Sequence, residues 1–526
     1  MKKHLSSSCI LFVLPVLVFF SCKSPAGKDQ KDENNSWLVE MTIAELRHGY
    51  SSQDFSITDV VKAYIERIIA IDINGPALNS VIVINPDALK IAEELDNEMT
   101  NGKTRGPFHG VPVIIKDNID TEDNMPTTAG SIALSASFAA TDAFIAEKLR
   151  EAGAVIIGKA NLSEWANFRA RVSSSGWSGV GGQTKNPYST DRNPCGSSSG
   201  SGVAVSANLC MVAVGTETDG SIVCPSNNNG IVGIKPTVGL LSRTGIIPIS
   251  YSQDTPGPMS RTVEDAAICL GAMTGIDPSD QKTLASEGKF LTDYTKCLKK
   301  DGLRGKRIGI VKNSGGFSDR VDTLMLRAIR KMKSLGAEMI EVEAPSGKEY
   351  NEAELTVLLF EFKDGLNKYL SGPGKDARIK NLAELIEFNL KDTVELRYFD
   401  QKLLIEAEKK GDLTSPDYVE ALEKCRRVTR DEGIDKMMDK NKLDVLIAPT
   451  GSPAWKTDMV LGDHFVGGSS SLAAISGYPA ITVPMGFIEG LPVGITFFGR
   501  AWSEPVLLEA AYSYEQATLH RRPPLN

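Results

Sequence analysis

The sequence predicts an α/β fold, and two observations carry that reading. Stretches with helical apolar periodicity alternate along most of the chain with short apolar runs that read as buried strands. The composition is that of an ordinary globular protein, with 526 residues, 41% hydrophobic and 24% charged. Such a chain buries a large core without disulfide staples. The net charge of −8 favours solubility and argues against nucleic acid as a partner.

Residues 1–22 read as a targeting segment. Lys2 and Lys3 give a positive start, and an uncharged apolar run follows from Cys9 to Phe20. That run is too short to span a bilayer comfortably but suits a signal-peptide core. Ser21-Cys22 resembles a bacterial lipoprotein cleavage site, with Phe19 standing where that site usually has leucine. Cys22 is then the expected lipidated residue, and a plain secretory signal is the alternative. Residues 23–36 are polar, contain Pro25 and Gly27, and read as a flexible tether. The expected location is the bacterial cell envelope, with a membrane anchor through the Cys22 lipid. A soluble periplasmic or secreted protein is the alternative. Residues 37–526 are expected to form a single domain.

Within that domain, Thr42-Ile-Ala-Glu45 has the spacing of a capping box and opens an amphipathic helix ending near Gly49. Ser56 and Asp59 repeat the pattern before a helix over residues 60–71. Residues 80–84 read as a strand, and Pro86 starts a helix reaching about Met99. A buried strand is predicted at 111–115, then a helix over 142–152 that passes through Gly153 into a strand at 155–157. Residues 173–202 are dominated by Gly and Ser but closely flanked by apolar segments, so they read as a functional loop rather than a linker. Residues 203–214 read as a buried small-residue helix. Strands at 307–311 and 338–342 flank a helix over 319–335. Residues 350–440, richer in charge, read as a mostly helical insertion or cover. A strand at 444–448 and segments at 469–476, 480–483, 493–498 and 504–518 complete the alternation.

Three segments carry candidate chemistry. Gly106-Pro-Phe-His109-Gly-Val-Pro-Val-Ile-Ile-Lys116-Asp-Asn-Ile-Asp120 places a lysine at the end of a buried strand. Alone, such a lysine is more often a solvated loop charge. Pro194-Cys-Gly-Ser-Ser-Ser-Gly-Ser-Gly202 is glycine-rich, but it lacks the ending of a P-loop and the spacing of a dinucleotide fingerprint. Gly215-Thr-Glu-Thr-Asp-Gly-Ser-Ile222 puts a serine after Asp-Gly. A tight turn there converges backbone N–H groups as an oxyanion hole requires. A simple turn between apolar segments is the plainer alternative.

In this order, the three segments resemble the motifs of the amidase signature family. The resemblance runs from about residue 40 to 515. It includes Gly233-Ile-Lys-Pro-Thr237, Gln253-Asp-Thr-Pro-Gly-Pro258, Ile447-Ala-Pro-Thr450 and Gly477-Tyr-Pro-Ala-Ile-Thr-Val-Pro484. It implies a large mixed, twisted β-sheet covered by α-helices on both faces. It also implies a catalytic triad of Lys116 as base, Ser197 as bridging serine after a cis peptide bond, and Ser221 as nucleophile. The oxyanion hole falls on the backbone N–H groups of Thr218, Asp219, Gly220 and Ser221, with Ser198 and Thr216 in support. Two positions depart from the family's spelling: Asp219 stands where the family usually has Gly, and Glu217 where it usually has Asp. Together with Ser175-Gly-Trp-Ser178 and Gly181-Gly-Gln-Thr184, this spelling is similar to the bacterial peptide amidase branch. That branch removes the C-terminal amide of peptides and releases ammonia.

The expected substrate is a small amide or an amidated peptide, with no cofactor and no metal. No Cys/His cluster or His-Glu-x-x-His segment exists. Two alternatives stand beside this reading: an amidotransferase-type amidase subunit, which an export signal disfavours, and a non-catalytic lipid-anchored binding protein on the same fold. For Lys116 to act as a base it must be neutral. Holding an ordinary lysine neutral at pH 7 costs about 4.6 kcal/mol, and burial supplies shifts of roughly 3–5 units. Asp117 opposes that shift unless it points away or is itself hydrogen-bonded. The body cysteines Cys195, Cys210, Cys224, Cys269, Cys297 and Cys425 show no metal spacing. Free buried thiols are the default, with one or more disulfides possible.

Overall fold

The computed structural model describes residues 35–372 and 378–524. The segment 1–22 with Cys22, and the tether up to residue 34, lie outside the described residues. The N-terminal helices begin where the capping boxes place them. Thr42 N–H donates to Glu45 Oε2 at 2.8 Å and Glu45 N–H to Thr42 Oγ1 at 3.2 Å, opening the helix Ile43–Ser52. Ser56 and Asp59 do the same for Ile57–Arg67.

The strands are β1 (Val81–Ile84), β2 (Pro112–Lys116), β3 (Val155–Ala160), β4 (Trp177–Ser178), β5 (Gly182–Gln183), β6 (Val212–Glu217) and β7 (Val232–Lys235). They continue with β8 (Thr255–Ser260), β9 (Arg307–Val311), β10 (Glu338–Val342), β11 (Val445–Pro449), β12 (Ala480–Ile488) and β13 (Leu491–Phe498). Among the described residues, eleven of them form one sheet in the order β1-β3-β2-β6-β8-β7-β12-β13-β11-β9-β10. The sheet is mixed: β3, β2 and β6 run parallel, as do β11, β9 and β10, while the strands between them pair antiparallel.

Both faces of the sheet are buried. Val445 and Ile447 of β11 belong to one apolar cluster, and the alternate residues Leu446 and Ala448 to a second. Successive side chains of a strand point to opposite faces, so helices must cover each side. A third cluster joins Leu359, Phe362 and Leu366 of the helix Asn351–Leu370 to Ala129, Trp165, Phe168, Ile247 and Ile249. The helical stretch thus packs on the loops leaving the sheet and, through Val357, Phe360 and Met437 in the second cluster, on strand residues such as Leu446 and Ala448.

One expected element is corrected. The helix anticipated over 203–214 is shorter and earlier, Ser199–Ser206, and residues from Val212 onward belong to β6. The break falls at Asn208, whose φ of 56° is left-handed. A run of small apolar and β-branched residues, buried all round, carries no period that separates helix from strand.

Candidate active site

Lys116 ends β2 and Thr216 and Glu217 end β6, and these two strands are parallel neighbours, with Ile115 paired to Val214. Parallel pairing brings both C-terminal ends to one edge of the sheet, where α/β proteins build their clefts. The Gly/Ser loop reaches the same edge. Ser163, just past β3, donates its N–H to Ser197 C=O at 3.0 Å. The peptide bond Gly196–Ser197 is cis. A Cβ on Gly196 would lie 2.2 Å from Ser163 Oγ, so only glycine fits.

Lys116 is fully buried. Its Nζ lies 2.7 Å from Ser197 Oγ, 2.9 Å from Thr216 Oγ1 and 3.2 Å from Thr216 C=O. Burial pulls the amine down from 10.5 to about 7, against the opposing pull of the Asp254 and Glu217 carboxyls. Asp117 is turned aside. It accepts from the Thr128 hydroxyl, burial raises it to about 6, and the cation acting on it is Lys159. His109, the one histidine inside a motif, sits before β2, away from this edge. Its Nε2 is 3.2 Å from Leu95 C=O.

Ser198 N–H donates to Ser221 C=O at 3.1 Å, which seats the Ser197 loop against the turn that follows β6. Ser198 Oγ donates to Thr216 C=O at 3.0 Å and accepts from Thr216 N–H at 3.2 Å. Asn118 Nδ2 donates to Thr216 Oγ1 at 3.0 Å. Ser198 and Thr216 thus brace the lysine and its strand end, and Ser221 itself is 7% exposed at the cleft. Among the described residues no hydrogen bond joins Ser197 Oγ to Ser221 Oγ. Catalytic contacts of this kind often tighten only with substrate bound.

The turn after β6 is built to leave N–H groups free. Glu217, buried, accepts from Ile222 N–H at 2.7 Å and Val223 N–H at 3.0 Å, closing the loop at its far end. Gly220 has φ +80°, a conformation glycine takes without strain. Between these anchors, the N–H groups of Thr218, Asp219, Gly220 and Ser221 meet no acceptor among the described residues. The Glu217 carboxylate faces the first amides of the helix Val223–Asn228, with buried Lys235 offsetting it.

Sequence reading missed two features of this site. The first is a disulfide, Cys195–Cys224, where free thiols were the default. Cys195 stands two residues before Ser197 and Cys224 three after Ser221, so the bridge ties the two loops together. Their flanking positions were the only signal, and spacing alone does not reveal pairing. Cys210, Cys269, Cys297 and Cys425 are free. Removing the bridge by a Cys195→Ser, Cys224→Ser double substitution is expected to cost about 2–4 kcal/mol of stability. A thermal melt checks it, and an unchanged Tm contradicts a stabilising role. The second missed feature is a group of side chains behind the turn, Gln253, Asp254 and Glu354, of which Glu354 comes from the distant helix Asn351–Leu370.

The sequence model of the family described as Amidase matches residues 59–508. The crystal structure of native peptide amidase from Stenotrophomonas maltophilia superposes with a TM-score of 0.88 and 49% identity, covering 93% of this chain and 99% of that one. A protein of Arabidopsis thaliana described as a probable amidase is 42% identical over 495 residues, 93% of this chain and 92% of its own length. An amidase relative from Schizosaccharomyces pombe is 37% identical over 523 residues, 93% and 87% of the two chains.

These relatives correct the expected placement in a bacterial envelope. Proteins of a plant and a yeast match nearly the whole body of the chain, so that body carries no mark of an envelope lipoprotein. Among the described residues no helix is long and apolar enough to cross a membrane. The export reading rests on the apolar run before Cys22 and the polar stretch after it, and residues 1–34 lie outside the described residues.

Proposed function

Since the chain belongs to the Amidase family, and is thereby a serine hydrolase of carboxamide C–N bonds, we propose that it deamidates peptide C-terminal amides through a Ser221–Ser197–Lys116 relay. The observation that carries this reading is the buried Lys116 amine, lowered to about 7 and 2.7 Å from Ser197 Oγ, on a loop hydrogen-bonded to the Ser221 turn.

The chemistry follows from that arrangement. A serine hydroxyl is a weak nucleophile until its proton is removed. Ser221 Oγ attacks the amide carbon as its proton passes to Ser197 Oγ, and the Ser197 proton passes to neutral Lys116 Nζ. The carbonyl oxygen, now negative, turns toward the free N–H groups of residues 218–221, where fixed dipoles stabilise it without reorganisation. Collapse of the tetrahedral intermediate breaks the C–N bond. The lysinium returns its proton through Ser197 to the leaving nitrogen, which departs as ammonia. Water then attacks the Ser221 ester, the relay taking its proton, and the free carboxylic acid leaves with Ser221 restored. Ser198 and Thr216 hold the relay in register through the contacts to Lys116 and to each other.

The peptide substrate is supported by the 49% identity and nearly full coverage shared with a peptide amidase. With the export signal no longer counting against an amidotransferase-type subunit, that likeness is what favours the hydrolase acting alone. Ammonia release from amidated peptides, fatty amides and small aliphatic amides tests the assignment. The highest kcat/KM is expected for amidated peptides, and a preference for acetamide-sized substrates contradicts it.

A further inference from the structure

Gln253 lies in a motif that the relay does not use. It is buried, 1% exposed, and its Nε2 donates twice: to Thr218 C=O at 3.3 Å and to Glu354 Oε1 at 3.0 Å. The peptide joining Thr218 to Asp219 is planar and trans, so its C=O and N–H point in opposite directions. A donor that holds the Thr218 oxygen on the Gln253 side therefore turns the Asp219 N–H toward the other side, where no acceptor occupies it. Thr218 is fixed a second time, its Oγ1 donating to Asp254 Oδ1 at 2.6 Å. Asp254 in turn accepts from Ile249 and Ser250 N–H, each at 2.8 Å.

The helix Asn351–Leu370 clamps this segment at two places on one face. Glu354 meets Gln253. Glu361, seven residues on, accepts from Ser252 N–H and Ser252 Oγ at 3.0 Å and from Ser250 Oγ. Glu354 also meets Asp219, the turn residue that departs from the family's glycine. Burial and the Asp219 charge push the Glu354 carboxyl well above the usual carboxylate range. The Asp219 carboxyl is raised by burial as well, so the two favour sharing a proton beside the turn. The Ser470 and Ser471 side chains pull the Asp219 carboxyl the opposite way, downward.

Resting on the reading of residues 218–221 as an oxyanion turn, we propose that Gln253 and Glu354 are positioning residues that aim the Asp219 N–H into the hole. The helical cover thereby sets transition-state stabilisation from outside the cleft.

The experiment compares Gln253→Leu, Glu354→Leu and Glu354→Gln with the unaltered protein and with Ser221→Ala, on an amidated peptide. Gln253→Leu is expected to lower kcat about tenfold to hundredfold with KM nearly unchanged, less than loss of a whole oxyanion donor. Affinity for a peptide aldehyde, whose adduct with the serine carries an oxyanion, falls by the same factor, while affinity for the peptide acid product holds. Glu354→Leu behaves likewise. Glu354→Gln, the isostere of a protonated glutamate, keeps both an acceptor for Gln253 and a donor for Asp219 and restores the rate. If Gln253→Leu does not fold, the contrast between the two Glu354 variants carries the test. Wild-type kcat in Gln253→Leu, or equal rates in Glu354→Leu and Glu354→Gln, overturns the proposal. An active Ser221→Ala overturns instead the hydrolase reading beneath it.

Discussion

Ser221→Ala is expected to lose about 10⁴–10⁶-fold in kcat/KM toward amide substrates and to lose labelling by a fluorophosphonate probe altogether. The loss is that large because the proposed relay has Ser221 form the bond to the acyl carbon, and among the described residues no second nucleophile stands ready. Ser197 is committed to Lys116 at 2.7 Å, and Ser198 Oγ is held by the Thr216 backbone at 3.0 and 3.2 Å. Ser197→Gly removes the proton bridge but leaves the nucleophile, so it is expected to turn over slowly and still take the label. Melting curves for both variants should match the unaltered chain. Loss of label in Ser197→Gly but not in Ser221→Ala would exchange the two roles.

Lys116→Met is expected to act in opposite directions on rate and stability. Removing the proposed base lowers kcat by about 10²–10⁴-fold. The methionine fills similar volume in a fully buried site without a charge to desolvate. The depression from 10.5 to about 7 corresponds to about 5 kcal/mol of folding free energy at about 1.36 kcal/mol per unit. Giving up the contacts to Ser197 and Thr216 takes back about 1–3 kcal/mol, leaving a net gain of about 2–4.

The sign with pH follows from proton counts. Between pH 7 and 10.5 the unfolded lysine holds a proton that the folded one has released, so the group's contribution to stability rises with pH in that window. The penalty is full below pH 7 and gone above 10.5. The gain from Lys116→Met is therefore largest at acid pH and turns into a loss of about 1–3 kcal/mol in base, where only the missing contacts count, while wild-type kcat falls as pH drops through about 7. Chemical denaturation at pH 6 and pH 10 checks the first statement, and a pH–rate profile the second. Equal stability of the two proteins at pH 6 would contradict a buried charge at this position.

How far the sequence could be read follows the range of the interactions involved. The capping boxes at Thr42 and Ser56 and the strand ending in Lys116 were legible because each depends on neighbours in the chain. The stretch 203–214 was not, since burial on all sides erased its period. The motif order pointed to Lys116, Ser197 and Ser221, and the parallel pairing of β2 with β6 is what puts the ends of those strands on one edge. The contact of Gln253 with Glu354 spans 101 residues and that of Cys195 with Cys224 spans 29. No local pattern encodes either, so both emerge only once the sheet and its helical cover are in place. The Asp219 departure was visible as a letter, but its consequence depended on a carboxyl brought in by a distant helix.

A ¹³C NMR titration of protein labelled at the lysine Cε, recorded with and without Lys116→Met, examines the protonation of the base itself. One resonance should titrate with a midpoint near pH 7 and disappear in the Lys116→Met variant, while the exposed lysines titrate near 10.4. A spectrum in which every lysine stays protonated to pH 9 would contradict a neutral amine at residue 116, and with it the proton relay.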